Sequence, residues 1–217
     1  MTTETKPHII LPWEFERDAP PFEGNDLKSP EGLYRHIYNQ YTKKGDKIFD
    51  PFVGLGTTMF TAEEMGRIPF GIEAEEQKQQ WVAGQLENWM HVVNDDSYNV
   101  DKYDIPKIDL IVTCPPFMEA HTKWNPLYGG DPKYAGYDKY LKRMELIFKK
   151  LTNILKKNGT LIIEIQNINR NGKFTPLRHD ITNAVSKHYK QINETIVVWD
   201  NLKSPRPVTT LLIFKKR

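Results

Sequence analysis

Apolar residues fall into short runs that alternate with stretches of helical spacing, from residue 29 almost to the C-terminal end. Ser29-Pro30 predicts a helix start, with Ser as N-cap, Pro at the first helical position and Glu31 in the first turn. Leu33, Tyr34, Ile37 and Tyr41 share one face, and Gly45 ends the element. Residues 47–49 read as a strand running into Asp50, 57–65 as a helix stopped at Gly66, and 69–72 as a second strand ending at Glu73. A helix over 75–90 follows, then a third strand over 91–93 before Asn94-Asp95-Asp96. A fourth strand over 108–112 runs into Thr113-Cys114-Pro115-Pro116-Phe117.

Residues 118–138 lack periodicity, and their length predicts a lid. Tyr140, Met144, Ile147, Leu151 and Ile154 then recur at helical spacing, with lysines on the opposite face and Asn158-Gly159 as the expected cap. Residues 160–165 are almost all apolar, as in a strand buried on both faces. A helix over 175–188 and strands over 194–199 and 208–214 close the pattern, the last two as an antiparallel hairpin at a sheet edge. Repeated strand–helix units imply a Rossmann-like, doubly wound α/β domain, its sheet mostly parallel and covered by helices on both faces. Ligands of such sheets bind at the carboxyl ends of the strands. One domain over 29–217 accounts for the pattern; residues 1–28, rich in Pro and charge, read as an arm that either packs Trp13, Phe15 and Phe22 on it or stays mobile.

Composition narrows the chemistry. The 217 residues carry 30 Lys and Arg against 28 Asp and Glu, a net +2, so any polyanion contact must be a local patch. Cys114 is the single cysteine, which excludes a disulfide framework and a cysteine-rich zinc site; no metal is expected. Residues 1–8 lack an apolar signal segment and no apolar run approaches the ~20 residues of a membrane span, so a cytoplasmic protein without membrane contact is expected.

Asp50-Pro51-Phe52-Val53-Gly54-Leu55-Gly56-Thr57-Thr58 follows the first strand and opens a helix. Gly54 and Gly56 let the backbone turn tightly and approach a ligand, while Thr57 and Thr58 can cap the helix. No Lys follows the second Gly, as a phosphate loop requires, and the third Gly of a dinucleotide fingerprint is missing. Asp50 would repel a pyrophosphate but suits a cation such as the ammonium and sulfonium of S-adenosylmethionine. Glu73 stands 23 residues after Asp50, where a carboxylate can accept ribose hydroxyls. Asp95 or Asp96, ending the third strand, can accept from an adenine amino group.

DPFVGLGTT resembles the cofactor motif of S-adenosylmethionine-dependent amino-methyltransferases, the DNA adenine-N6 and cytosine-N4 class and its RNA guanine-N2 relatives. TCPPF resembles their catalytic motif, usually Asp, Asn or Ser before Pro-Pro and an aromatic. The resemblance covers residues 45 to about 215. It implies a class I methyltransferase fold with a terminal antiparallel hairpin. It also implies that Asp50, Pro51, Phe52, Gly54, Gly56, Thr57 and Thr58 surround the methionine part of the cofactor. Glu73 would hold the ribose, Asp96 or its neighbour Asp95 the adenine, and Cys114, Pro115, Pro116 and Phe117 the acceptor base. The side chain before Pro-Pro and a motif carbonyl would accept from the base amino group; Phe117 would stack on the base. Cys114 departs from the family pattern, and sulfur is a weak acceptor. A carbon-5 mechanism with Cys114 as nucleophile is the chemical alternative.

The implied partner is nucleic acid, DNA first and RNA second. The chain has no room for the separate target-recognition domain usual in DNA enzymes, so a protein partner or a homodimer would supply it. Lys123, Lys133, Arg170, Lys173, Lys203 and Arg206, interleaved with Trp124, Tyr128 and Tyr134, are the candidate nucleic-acid contacts. A non-catalytic cofactor-binding subunit is the third reading, motivated by Cys114.

Overall fold

In the computed structural model the described residues are 7–18, 20–22, 28–200 and 207–217. Strands and helices follow in the order β1 (His8–Leu11), α1 (Glu31–Tyr41), β2 (Lys47–Asp50), α2 (Thr57–Glu64), β3 (Ile68–Glu73), α3 (Glu76–Ala83), β4 (Val92–Asn94) and β5 (Ile108–Thr113). After β5 come α4 (Tyr137–Leu151), β6 (Leu155–Ile165), β7 (Ile168–Arg170), β8 (Lys173–Thr175), α5 (Leu177–Ser186), β9 (Tyr189–Trp199) and β10 (Val208–Lys216). The main sheet has the order β1-β9-β10-β6-β5-β2-β3-β4. Strands β6, β5, β2, β3 and β4 are mutually parallel, and β10 runs antiparallel to both β6 and β9.

The central strands are apolar on both faces because both faces are covered. Leu110, Val112 and Ile162 pack with Leu33, Ile37 and Tyr38 of α1. Their strand neighbours Ile111, Leu161 and Ile163 pack with Met144, Ile147, Phe148 and Ile181 of α4 and α5. This sandwich fixes the register of β2, β3 and β5, and so aligns their carboxyl ends on one rim.

Several expectations are corrected. The terminal hairpin is not the sheet edge: β1 pairs in parallel with β9 beyond it, and Trp13 sets its ring against Trp199 at 4.9 Å. Helix α3 ends at Ala83, not at 90, because the chain turns at Gly84 and the Asn88 side chain then accepts from Met90 N to start a 3-10 turn. Asn158-Gly159 does not cap α4: both residues lie inside β6, where the pairing jumps from Ile108↔Leu155 to Leu110↔Thr160 and residues 156–159 bulge. Ser29 is not an N-cap; Pro30 holds that position and the Ser29 hydroxyl is used elsewhere. The long segment 118–138 contains two 3-10 turns, Pro126–Tyr128 and Pro132–Tyr134. Among the described residues, no helix is long and apolar enough to cross a membrane.

Candidate active site

Asp50 ends β2 in full burial. Its Oδ1 accepts from Thr113 Oγ1 at 2.7 Å and Phe52 N at 2.9 Å, and its Oδ2 from Thr58 Oγ1 at 2.6 Å. One carboxylate thus ties together β2, β5, the glycine loop and α2. Burial pushes its carboxyl up to about 6, although the three donors pull the other way. The threonine expectation changes accordingly: Gly56 occupies the N-cap position, no side chain caps α2, and Thr58 donates to Asp50.

The loop after Asp50 needs its glycines. Gly54 and Gly56 sit at φ of 54° and 79°, and a Cβ on Gly56 would lie 2.8 Å from Val82 Cγ2. Glu73, at the end of β3, closes the loop from the other side. Its Oε2 accepts from Gly54 N at 2.7 Å and its Oε1 from Glu75 N at 2.9 Å. Burial raises its carboxyl above the usual range, and those backbone donors offset part of the rise. Ser97 Oγ donates to Pro51 O and holds the loop down.

A cavity of about 880 Å³ opens at this rim. Its lining includes Asp50, Pro51, Phe52, Gly54, Thr57, Thr58, Glu73, Asp96 and the whole run Cys114, Pro115, Pro116 and Phe117. Two expected residues are not in that lining. Gly56 turns the loop from beneath, and Asp95 spends its oxygens on Asp96 N, Asn99 Nδ2 and Tyr103 Oη. Asp96 caps a 3-10 turn through Tyr98 N and pairs with Arg143 Nη2 at 2.7 Å. The Cys114–Phe117 run is braced by buried Tyr140, which donates its hydroxyl to Pro116 O at 2.9 Å.

Sequence reasoning missed a second wall. Lys28, Ser29 and Tyr34 line the same cavity. Ser29 Oγ and Tyr34 Oη donate to the buried Glu164 at 2.5 and 3.0 Å. The readable signal was Glu164 itself, a lone carboxylate within the apolar run Leu161-Ile162-Ile163-Glu164-Ile165. Among the expected nucleic-acid contacts, Trp124 and Tyr128 line the cavity and Tyr134 does not; Lys123 and Lys133 are exposed on the segment after β5, and Arg170 and Lys173 on the β7–β8 hairpin. Lys203 and Arg206 lie outside the described residues.

Fold and rim together define the class I methyltransferase architecture. The fold resembles TrmN from Thermus thermophilus at TM-score 0.61, with 13% identity over 86% of this chain and 49% of that one. It also resembles a methyltransferase from Pyrococcus furiosus at TM-score 0.59, with 14% identity over 90% of this chain and 87% of the other. Sequence comparison is more particular. Residues 8–83 match the DNA methylase family model of N6/N4 type. The type II methyltransferase M2.DpnII of Streptococcus pneumoniae is 48% identical over 50 residues, covering 23% of this chain and 19% of that protein. The type II methyltransferase M.MjaVI of Methanocaldococcus jannaschii is 31% identical over 114 residues, covering 52% of this chain and 55% of the relative. The matches therefore span less than two thirds of either relative, and they support the amino-methyltransferase family that the motifs imply.

Proposed function

We propose that this chain is an S-adenosylmethionine-dependent methyltransferase acting on an exocyclic amino group of a nucleic-acid base, cytosine-N4 or adenine-N6 of DNA first. The observation that carries this is one cavity lined by both the glycine loop with Glu73 and the run Cys114–Phe117. Its volume, about 880 Å³, lies within the range of small-molecule sites, roughly 300–1,000 Å³. The residues fit the cofactor. Gly54 leaves backbone open to it, Glu73 keeps acceptor lone pairs beyond its two bonds, and buried Asp50 gives the floor a negative charge suited to a cation.

S-adenosylmethionine supplies a methyl group already activated on sulfur. What the chain adds is alignment in a dry pocket. Cys114 and a carbonyl of the Pro-Pro run accept from the base amino group and draw its lone pair out of the ring. Tyr140 keeps that run in place. Phe117 stacks on the base, and a base taken from a duplex is first flipped out. DNA is the proposed partner and the cytoplasm the proposed setting. Incubation with labelled cofactor and separate pools of unmodified DNA and RNA tests this reading: label in DNA supports it. Label in RNA alone would transfer the reading to the RNA relatives, and label in neither would favour a non-catalytic subunit.

Two further results are expected. Cys114→Ser keeps activity or raises it, because a hydroxyl is the better acceptor at nearly the same volume. Loss of methyl transfer in a cofactor-binding Ser variant would point to a cysteine nucleophile instead. The second concerns pH. With the folded-state carboxyl of Asp50 at about 6, above the ordinary 3.8, this group's own contribution to the stability of the free protein grows as pH falls from above 6 toward 4. Affinity for the cationic cofactor runs the opposite way and declines as pH falls through about 6. Calorimetric titrations of the wild type and Asp50→Asn at pH 5 and 7.5 check this: the loss of cofactor affinity at the lower pH should shrink in the Asn variant, and an unchanged pH dependence would remove Asp50 from the cofactor's surroundings.

A further inference from the structure

Trp124 is a large indole left 60% exposed. It lines the cavity that Cys114 and Phe117 also line. Its seat is built for it. Gly130 sits at φ of 79°, and a Cβ there would lie 2.2 Å from Trp124 Nε1 and 2.3 Å from its Cδ1. The indole therefore rests directly on the backbone of Gly130.

The frame around this seat is tied together by hydrogen bonds and ring contacts. Asn125, fully buried, donates from Nδ2 to Tyr134 O at 3.0 Å and accepts from Leu127 N at 3.1 Å. Gly130 N donates to Asn125 O at 3.0 Å, and Gly136 N to Lys123 O at 3.2 Å. Tyr128 and Tyr134 stack at 4.1 Å with 10° between their planes, and the Arg143 guanidinium lies 4.8 Å from the Tyr128 ring. What sets this exposed indole apart is its place: it lines the cavity and is held outward against Gly130. A pre-positioned aromatic plane loses little entropy on meeting a flat ligand. A nucleobase presents such a plane, and Phe117, half-buried, offers another within the same cavity.

We propose that Trp124, seated on Gly130, is a second stacking surface for the acceptor base, which passes against the exposed indole before it reaches Phe117 and Cys114. This rests on the methyl-transfer reading above. The test is methyl incorporation into PCR-amplified, unmodified genomic DNA, duplex and heat-denatured, measured against DNA concentration, with cofactor affinity measured alongside. Trp124→Ala should raise KM for DNA roughly tenfold or more, the range of a lost base–aromatic stack, and leave cofactor affinity unchanged. Trp124→Leu, which keeps apolar bulk without the π face, should behave as Trp124→Ala, whereas Trp124→Phe should stay within about threefold of the wild type. Gly130→Ala should raise KM as well, since the new methyl displaces the indole while leaving it in the chain.

Unchanged KM in both the Ala and Leu variants would overturn the proposal. So would a loss of cofactor affinity equal to the rise in KM, which would make the indole a cofactor contact. If the wild type transfers no methyl group to DNA, the functional reading falls separately. The stacking role is then read from anisotropy of dye-labelled single-stranded DNA in the presence of cofactor: weaker binding by Trp124→Ala supports it, equal binding overturns it.

Discussion

Glu73→Ala should weaken S-adenosylmethionine binding by roughly 1–3 kcal/mol, the cost of stranding buried polar partners, or about 5- to 150-fold in Kd. The carboxylate does two jobs. It accepts from Gly54 N and Glu75 N, which fixes the glycine loop against the end of β3; on the proposed function, its remaining lone pairs are acceptors for the ribose hydroxyls. Alanine removes both, leaving Gly54 N without its 2.7 Å partner. Glu73→Gln separates the roles. An amide can serve only one of the two backbone donors and turns an NH2 toward the other, so the loop suffers while an acceptor remains. Calorimetry on folded variants should rank the wild type above Gln and Gln above Ala; an Ala variant with wild-type affinity would remove Glu73 from the cofactor site.

Gly71→Ala should be the most damaging single-methyl change in the sheet. Gly71 lies in β3, paired with Asp50 on one side and Val92 on the other. A Cβ there would stand 2.3 Å from Val53 Cγ2 and 2.9 Å from Asp50 O. The first neighbour belongs to the glycine loop and the second is backbone, so neither can yield cheaply. Overpacking of this kind costs roughly 1–3 kcal/mol and occasionally more. At about 2–4 °C per kcal/mol for a chain of this size, the melting temperature should drop by several degrees. Because Val53 must move, cofactor affinity should drop with it. A variant as stable as the wild type would mean that β3 does not press against the loop.

What the sequence disclosed follows from how local each signal is. Asp50, the glycines and Thr57-Thr58 form one contiguous stretch, and Glu73 and Cys114–Phe117 each punctuate a strand end; all were legible without knowing any long-range contact. Asp95 and Asp96 were indistinguishable in sequence because both follow β4; only their bonds separate them, Asp95 turning to Tyr103 and Asp96 remaining at the cavity. Strand β1 was illegible for the opposite reason. Its four residues pair with Val197 and its neighbours far along the chain, and Pro7 and Pro12 flank them as they would a loop. Asn158-Gly159 reads locally as a helix stop, yet the pairing of β6 with β5 absorbs it as a bulge. The small β7–β8 hairpin, turned by Asn171-Gly172, has strands of three residues, too short for an alternating pattern to register. Ser29 shows tertiary structure overriding a local rule: a hydroxyl in reach of its own helix donates instead to Glu164, 135 residues away.

The central claim is that one cavity brings an activated methyl group to the exocyclic nitrogen of a base. The most direct measurement is mass spectrometry of nucleosides from unmodified DNA and RNA after incubation with S-adenosylmethionine carrying a deuterated methyl group. The expected result is a labelled N4-methylcytosine or N6-methyladenine in the DNA digest, reduced at sub-saturating cofactor when Glu73 is replaced by Ala and retained when Cys114 is replaced by Ser. Labelled 5-methylcytosine that disappears with the Ser variant, or no labelled nucleoside from either polymer, would contradict it.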